Sequence, residues 1–223
     1  MAKKTILTVL YAIASLPFLL ISTILAKYNI WGLKDDITLC IDVIERNKNI
    51  KLCNNLLDIL IIAEDKRNNF HCGVDQIALV RALYVRIKFG FVQGASTIEQ
   101  QFVRVVTQRY ERKLSRKLRE QILATAVLRK SSKTDIATSY LSIAFYGSNL
   151  YGKTGLEKLC TKPLSQVGLP IAIEIISRLK YPEPVKRNMK WREKIFYRNQ
   201  YILKEISKSG NKSFKTDSLK LAV

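Results

Sequence analysis

Hydrophobic and polar positions divide the chain into an apolar N-terminal run and a longer body with helical periodicity. No residue from Thr5 to Ala26 is charged, and Leu, Ile, Val, Ala and Phe dominate this run. A helix of this length extends ~33 Å, enough to cross a hydrocarbon core of ~30 Å. The run is longer than the apolar part of a cleaved signal peptide and has no small-x-small site before Lys27. We therefore predict an uncleaved signal anchor, a single transmembrane helix, over residues 1–27.

After this run the chain has the pattern of short helices separated by breaks. Residues 28–49 are predicted to be a connector with the first strand or helix. Ser132 and Asp135 have the spacing of a capping box, which predicts a helix start, and the glycines between 147 and 155 predict a loop. Residues 54–63 form an apolar run that leads directly into Glu64. Apolar residues at helical spacing predict further helices over 97–130, 170–180 and 190–206.

These elements predict a mainly α fold class. No stretch alternates strands with helices, which argues against a parallel sheet with crossover helices. The body is predicted to be one domain over residues 50–206, and the polar, Lys-rich residues 207–223 are predicted to be a tail.

The charge of the chain indicates a polyanionic partner. The 38 Lys and Arg residues against 18 Asp and Glu residues give a formal net charge of +20. Nucleic acid, an anionic membrane and phosphorylated substrates all fit such an excess, and a solvated basic surface without a ligand is the alternative. Lys3 and Lys4 precede the apolar run and only Lys27 directly follows it, which favours a cytoplasmic N-terminus and an extracytoplasmic body.

The four cysteines show no C-x-x-C spacing, which argues against a zinc or redox site. In an oxidising compartment Cys40 and Cys53 could pair. Buried free thiols are the alternative.

Two carboxylates have contrasting surroundings in the sequence. Glu64 and Asp65 follow an apolar segment, where a carboxylate suits the role of a general base. Glu120 instead lies in a stretch from Arg104 to Lys133 that holds ten basic residues. Arg and Lys at helical spacing could clamp a pyrophosphate. The alternative is that Glu120 forms a salt bridge with a basic neighbour one turn away on a solvated helix.

Between these carboxylates, residues 93–101 read QGASTIEQQ, a turn of small residues that leads into a helix. The free N–H groups and hydroxyls of such a turn suit an anionic or sugar ligand. A simple N-cap at Ser96 or Thr97 is the alternative.

Four segments together resemble the motifs of the family 51 peptidoglycan glycosyltransferases, which occur alone or fused to penicillin-binding domains. Residues 64–75, EDKRNNFHCGVD, resemble E-D-x-x-F-x-x-H-x-G, and residues 93–101 resemble Q-G-[GA]-S-T-I-T-Q-Q. Residues 116–120, RKLRE, match R-K-x-x-E in full. Residues 133–147, KTDIATSYLSIAFYG, resemble K-x-x-I-L-E-x-Y-L-N-x-x-Y-x-G. The motifs occur in the family's order.

The resemblance implies a lysozyme-like helical lobe with a smaller membrane-proximal jaw, in which residues 77–91 dip into lipid headgroups. It implies an enzyme that polymerises lipid II into β-1,4-linked glycan strands, with inversion and loss of undecaprenyl pyrophosphate, at the outer face of a bacterial cytoplasmic membrane. Glu64 would be the base. Glu120 would assist the leaving pyrophosphate or organise a divalent cation, Mg or Mn, near it. We expect the two carboxylates to face one groove.

The resemblance also implies a set of substrate contacts around the donor. These residues are Asp65, Ser96, Thr97, Gln100, Gln101, Arg104, Arg112, Arg116 and Lys117. His71, the only histidine of the chain, is expected to be a structural hydrogen-bonding residue.

Five departures from the family pattern stand out: Asn68, Glu99, Val105, Thr138 and Ser142. Of these, Glu99 places a negative charge close to the expected pyrophosphate site. Reduced activity or a changed substrate preference would follow if these departures reach the site.

Three alternatives remain beside the polymerase. A weak or inactive member could bind lipid II as a scaffold for other cell-wall synthesis proteins. A lysozyme-like hydrolase would not need the basic stretch. A nucleic-acid binder is disfavoured by the membrane span and by the scarcity of aromatic residues interleaved with Gly. The partners expected are lipid II, the growing glycan chain and an anionic membrane, and no nucleic acid.

Overall fold

The computed structural model describes residues 2–160 and 162–209, and their side chains from Thr5 onward. Helices make up most of these residues, which confirms the mainly α fold class. Of the tail predicted over residues 207–223, the part after residue 209 lies outside the described residues. Contacts divide the chain into two compact units, residues 1–48 with 65–139 and residues 49–64 with 140–223.

The first unit contains five complete helices and the start of a sixth within the described residues. Thr97 caps helix α5 (Ile98–Thr107), because its side chain accepts a hydrogen bond from the Gln100 N–H. Helix α6 (Leu114–Leu128) is buried at every position from Glu120 to Val127 and packs against three other helices of the unit. The helices are α1 (Ala2–Lys27), α2 (Leu33–Asn47), α4 (Gln76–Phe89), α5 (Ile98–Thr107), α6 (Leu114–Leu128) and the first part of α7 (Lys133–Ile143).

Among the described residues, one helical segment has the length and composition to cross a membrane, Thr5–Lys27 in α1. The inward side of α1 carries polar groups. The Tyr11 hydroxyl donates to Asp75 Oδ1 at 2.6 Å, and Ser15 accepts from Gln76 at 3.1 Å. Its other sides expose large apolar side chains, which suit contact with lipid: Ile6, Val9, Leu10, Ile13, Leu16, Leu20 and Ile24.

The region predicted as a connector contains α2, so the helix alternative is the one observed. Cys40 on this helix is fully buried, and its burial raises the pKa of the thiol to about 12. All four cysteines are free. The alternative of buried free thiols is confirmed for Cys40, and the other three are half-buried. The predicted capping box also forms, because Ser132 Oγ accepts from the Asp135 N–H at 3.0 Å.

The second unit is built on α3, α9 and α10, which pack against one another. A two-stranded antiparallel sheet follows α7, and α8 packs against it. The elements are α3 (Asn54–Glu64), the end of α7, β1 (Phe145–Gly147), β2 (Leu150–Tyr151), α8 (Gly152–Leu159), α9 (Leu169–Lys180) and α10 (Met189–Ser209).

The sequence-based loop prediction for residues 147–155 was therefore wrong in part. Gly147 ends β1 with a positive φ of 148°, and a Cβ there would lie 2.5 Å from the Glu183 backbone. Gly155 lies inside α8, where a Cβ would lie 2.5 Å from the Leu150 carbonyl carbon. The glycines allow close backbone approach instead of marking a flexible connection.

Candidate active site

Glu64 is the last residue of α3, in the second unit. Buried Leu56, Ile59 and Leu60 fix this helix in the core of the unit. Arg198 of α10 donates from Nη2 to Glu64 Oε1 at 2.5 Å and to the Ala63 carbonyl oxygen at 3.1 Å. The apolar segment before Glu64 is thus buried, but the carboxylate itself contacts a cation, which the sequence did not indicate. An arginine 134 positions further along the chain reaches the carboxylate, and local sequence carries no sign of that contact.

Asp65, the next residue, belongs to the first unit and is buried. Its carboxylate lies 2.9 and 3.0 Å from His71 Nε2 and accepts from the Asn68 side chain and the Ile98 N–H, both at 3.2 Å. The other ring nitrogen of His71, Nδ1, accepts from the Gly73 N–H at 3.2 Å. The structural hydrogen-bonding role predicted for His71 is confirmed. A contact between Asp65 and substrate stays a prediction.

Glu99 is buried beside this network, with 1% of its surface exposed. Lys133 Nζ lies 3.2 Å from Glu99 Oε1, an ion pair whose angles do not make a hydrogen bond. Lys133 also donates to the Asn68 carbonyl oxygen. The negative charge of Glu99, which was expected close to a pyrophosphate site, therefore has a positive partner inside the unit, Lys133 of α7.

Asp65, His71 and Glu99 place three potential metal-ligand atoms within 4.8 Å of one another. The surrounding donors do not favour a metal there. His71 Nδ1 already accepts a backbone N–H, so the ring proton sits on Nε2 and faces Asp65. Lys133 already supplies a positive charge to Glu99. We interpret the cluster as a charge network that stabilises the fold.

Glu120 on α6 is 4% exposed and is enclosed by three cationic side chains. Arg104 donates from Nε to Oε2 at 2.9 Å and from Nη2 to Oε1 at 3.0 Å, a bidentate pair. Lys117 donates to Oε1 at 2.6 Å, and Arg116 donates to Oε2. The local salt bridges of the alternative interpretation are thus formed, but on a buried carboxylate and with a third cation from α5. We call Arg104, Arg116, Lys117 and Glu120 the cation cluster.

The cation cluster sets the ionisation of its members. Burial by itself would raise the pKa of Glu120, but the hydrogen bond from Arg104 and the charges of Lys117 and Arg104 outweigh it and lower the pKa. Burial lowers the pKa of Lys117, an effect that Glu120 partly offsets and that the charges of Arg104 and Arg116 reinforce. The expectation of an ionised carboxylate among cations agrees with this environment.

The turn before α5 contacts the same cluster. Ser96 Oγ accepts from Lys117 Nζ at 2.9 Å and from Arg104 Nη2 at 3.2 Å, and Gln100 Oε1 accepts from Lys117 at 2.6 Å. Thr97 is buried and donates to the Gly73 carbonyl oxygen at 2.8 Å. Its hydroxyl also accepts from the Gln100 N–H at 3.3 Å, in agreement with the N-cap alternative.

The remaining predicted contacts differ in their placement. Gln101 is half-buried on α5, and Arg112 is exposed between α5 and α6. The role of every predicted substrate contact stays a prediction. Sequence reasoning missed Arg198 and did not single out Lys133. The available signal for Arg198 was its spacing from isoleucines. Ile195, Ile202 and Ile206 lie three positions before it and four and eight positions after it, which places the arginine on the apolar face of a helix.

The residues around Glu120 do not by themselves fit a divalent cation. Both carboxylate oxygens already accept from cationic donors, and a metal held there would face three positive side chains. A cation at this position would need oxygen ligands from the substrate. The Mg or Mn expected near Glu120 stays a prediction.

A mainly helical fold and a buried carboxylate enclosed by arginine and lysine define a helical protein with a preformed cluster of cations. The profile of the family described as Transglycosylase matches residues 45–207. The chain belongs to this family, which confirms the resemblance carried by the four motifs. The helical, lysozyme-like fold of the family agrees with the helices described above.

Curated relatives carry the name penicillin-binding protein 1A. The chain is 36% identical over 103 residues to the protein of Aquifex aeolicus, which covers 46% of this chain and 14% of the relative. It is 39% identical over 98 residues to the protein of Haemophilus influenzae, a match that covers 44% of this chain and 12% of the relative. It is 28% identical over 162 residues to the protein of Rickettsia felis, a match that covers 70% of this chain and 20% of the relative. The chain thus spans a fifth or less of the length of these relatives.

Proposed function

We propose that this protein is a peptidoglycan glycosyltransferase that polymerises lipid II into β-1,4-linked glycan strands. The observation that carries the proposal is the cation cluster. Three cations surround one carboxylate within a mostly buried site. Such a site suits a pyrophosphate, which gains negative charge as it leaves the sugar.

In the proposed reaction the donor's anomeric carbon loses undecaprenyl pyrophosphate. The positive charges of Arg104, Arg116 and Lys117 attract the phosphate oxygens of the leaving group. Glu120 holds these three side chains in place through its two oxygens. The cluster is therefore organised before substrate binds, which avoids a reorganisation cost during the reaction.

Glu64 is the proposed general base. Its carboxylate accepts the proton of the acceptor's 4-hydroxyl as that oxygen attacks the anomeric carbon. The bond from this carbon to the pyrophosphate oxygen breaks, and the electron pair leaves with the pyrophosphate. Attack opposite the leaving group converts an α-linkage into a β-linkage. A carboxylate at a helix end, held on one oxygen by Arg198, suits this role.

The proposed site of action is the outer face of a bacterial cytoplasmic membrane, with α1 as the single span. Exposed apolar residues on α4 support contact with lipid, among them Val80, Leu83 and Ile87. Lys88 lies over the Tyr84 and Phe89 rings at 5.4 Å, an arrangement suited to headgroups. Lipid II, the growing glycan, anionic lipid and other cell-wall synthesis proteins are the proposed partners.

The test is glycan-chain formation from lipid II by purified full-length protein. We expect polymer from the wild type and at least a ~100-fold lower rate from Glu64→Gln, because a general base contributes about 10²–10⁴-fold. Glu157→Gln, an exposed glutamate of the same unit, is the matched control and should retain the rate.

Other outcomes separate the rival functions. Binding of lipid II without polymer from the wild type would favour the scaffold, which the five motif departures allow. Comparable rates from wild type and Glu64→Gln would remove Glu64 as the base.

A further inference from the structure

Glu64 occupies a position at which a helix disfavours a carboxylate. It is the last residue of α3, where the helix dipole and the unpaired carbonyl groups present negative partial charge. An ionised side chain there needs a compensating cation. The interior of the second unit supplies one from α10.

Arg198 is that cation, and its position is fixed by packing. The residue is 8% exposed and lies on the buried stripe of α10 with Ile195, Ile202 and Ile206. Its guanidinium carbon lies 5.1 Å from the centre of the Tyr201 ring. Burial of an arginine costs free energy unless it is paired, so the contact with Glu64 contributes to holding α10 against α3.

The two hydrogen bonds of Arg198 have different consequences. The bond to the Ala63 carbonyl oxygen, at 3.1 Å, satisfies one of the last acceptors of α3. The bond to Glu64 Oε1, at 2.5 Å, fixes the orientation of the carboxylate. One guanidinium nitrogen therefore ties the helix end and the side chain to the same point.

We propose that Arg198 is a positioning residue for Glu64, which sets the orientation of the base. The inference rests on the proposed function, since it assigns a partner to the proposed base. Arg198 acts through Glu64 and not on the substrate. A role in orientation predicts a loss of turnover with little change in KM, and recovery by lysine, which a stability role alone does not predict.

The experiment compares Arg198→Met and Arg198→Lys with Arg178→Met in the lipid II polymerisation assay. Arg178 is a matched control because it is an equally buried arginine of the same unit, paired with Glu174 and Glu183. We expect Arg198→Met to lower kcat by roughly 10- to 100-fold, since a small misplacement of a catalytic group costs about that much. KM for lipid II should change by less than about threefold.

Recovery by lysine gives the second readout. Arg198→Lys keeps a charged donor that can hold the Glu64 carboxylate, so it should recover most of the rate lost in Arg198→Met. If Arg198→Met does not fold, Arg198→Gln takes its place.

The inference and the proposed function fail in different ways. If the wild type is active and Glu64→Gln is not, a loss of rate in Arg198→Met no larger than in Arg178→Met, or no recovery of the rate in Arg198→Lys, overturns the inference. An inactive wild type, or an active Glu64→Gln, overturns the proposed function instead.

Discussion

At the scale of single residues, Glu120 links stability to pH. Its pKa is lower in the folded protein than its ordinary value, because the hydrogen bond and charges of Arg104 and Lys117 outweigh burial. A carboxylate of this kind stabilises the fold above its unfolded pKa, and that stabilisation is lost as pH falls through the folded pKa. The cation cluster is therefore held together best near neutral pH.

We predict that Glu120→Gln lowers the free energy of unfolding at pH 7 by about 3 kcal/mol, because the substitution leaves three cations without their anion. The difference from the wild type should narrow as the pH falls below the unfolded pKa of about 4.5. Unfolding in mild detergent across a pH series measures this. A difference that stays constant with pH would contradict the electrostatic explanation.

At the same scale, the departures from the family motifs fall mainly inside the fold. Asn68 is buried and donates to Asp65, and Glu99 is buried against Lys133. Among the described residues, neither Asn68 nor Glu99 forms a hydrogen bond or ion pair with the cation cluster. These departures alter the charge network of the first unit, and the acidic one carries its own counter-ion.

At the scale of elements, α8 depends on a glycine for its position on the β1–β2 hairpin. Alanine is favoured over glycine by about 1 kcal/mol within a helix, so Gly155→Ala would stabilise an isolated α8. A Cβ at this position would instead lie 2.5 Å from the Leu150 carbonyl carbon. Overpacking then outweighs the gain in helix propensity.

We predict that Gly155→Ala lowers the free energy of unfolding by about 2 kcal/mol or more. Gly94→Ala is the control, because nothing lies within 4 Å of the added Cβ, and it should change stability by less than about 0.5 kcal/mol. Thermal unfolding of the two variants side by side makes the comparison. Equal stability of both would mean that the hairpin and α8 adjust without cost.

At the scale of the whole molecule, the proposed membrane contact combines the charge of +20 with the apolar surfaces of α1 and α4. Apolar burial in lipid is insensitive to salt, whereas attraction to anionic headgroups is screened over about 8–10 Å at physiological ionic strength. The two contributions can therefore be separated by ionic strength.

We predict faster polymerisation of lipid II in vesicles that contain phosphatidylglycerol than in purely zwitterionic vesicles. This advantage should shrink severalfold when salt rises from about 0.05 to about 0.5 M, while the protein stays bound to both kinds of vesicle in a flotation assay. Release of the protein by salt would instead mean that charge, and not α1, holds it at the membrane.

The sequence by itself determined the features that depend on near neighbours along the chain. The apolar run of α1, the helix starts at Thr97 and Ser132, and the ion pairs of Arg116 and Lys117 with Glu120 one turn away all follow from local spacing. The family motifs were readable for the same reason, since each is a contiguous segment. They indicated the family that the profile match confirmed.

Only the tertiary structure decided which distant groups meet. Arg104 reaches Glu120 because α5 packs on α6, Lys133 meets Glu99 across the first unit, and Arg198 reaches Glu64 because α10 packs on α3. The glycines at 147 and 155 were interpreted as a loop because the sequence does not show the backbone that approaches them. Periodicity fixes which face of an element is buried, but the partner on that face depends on how the elements cross in space.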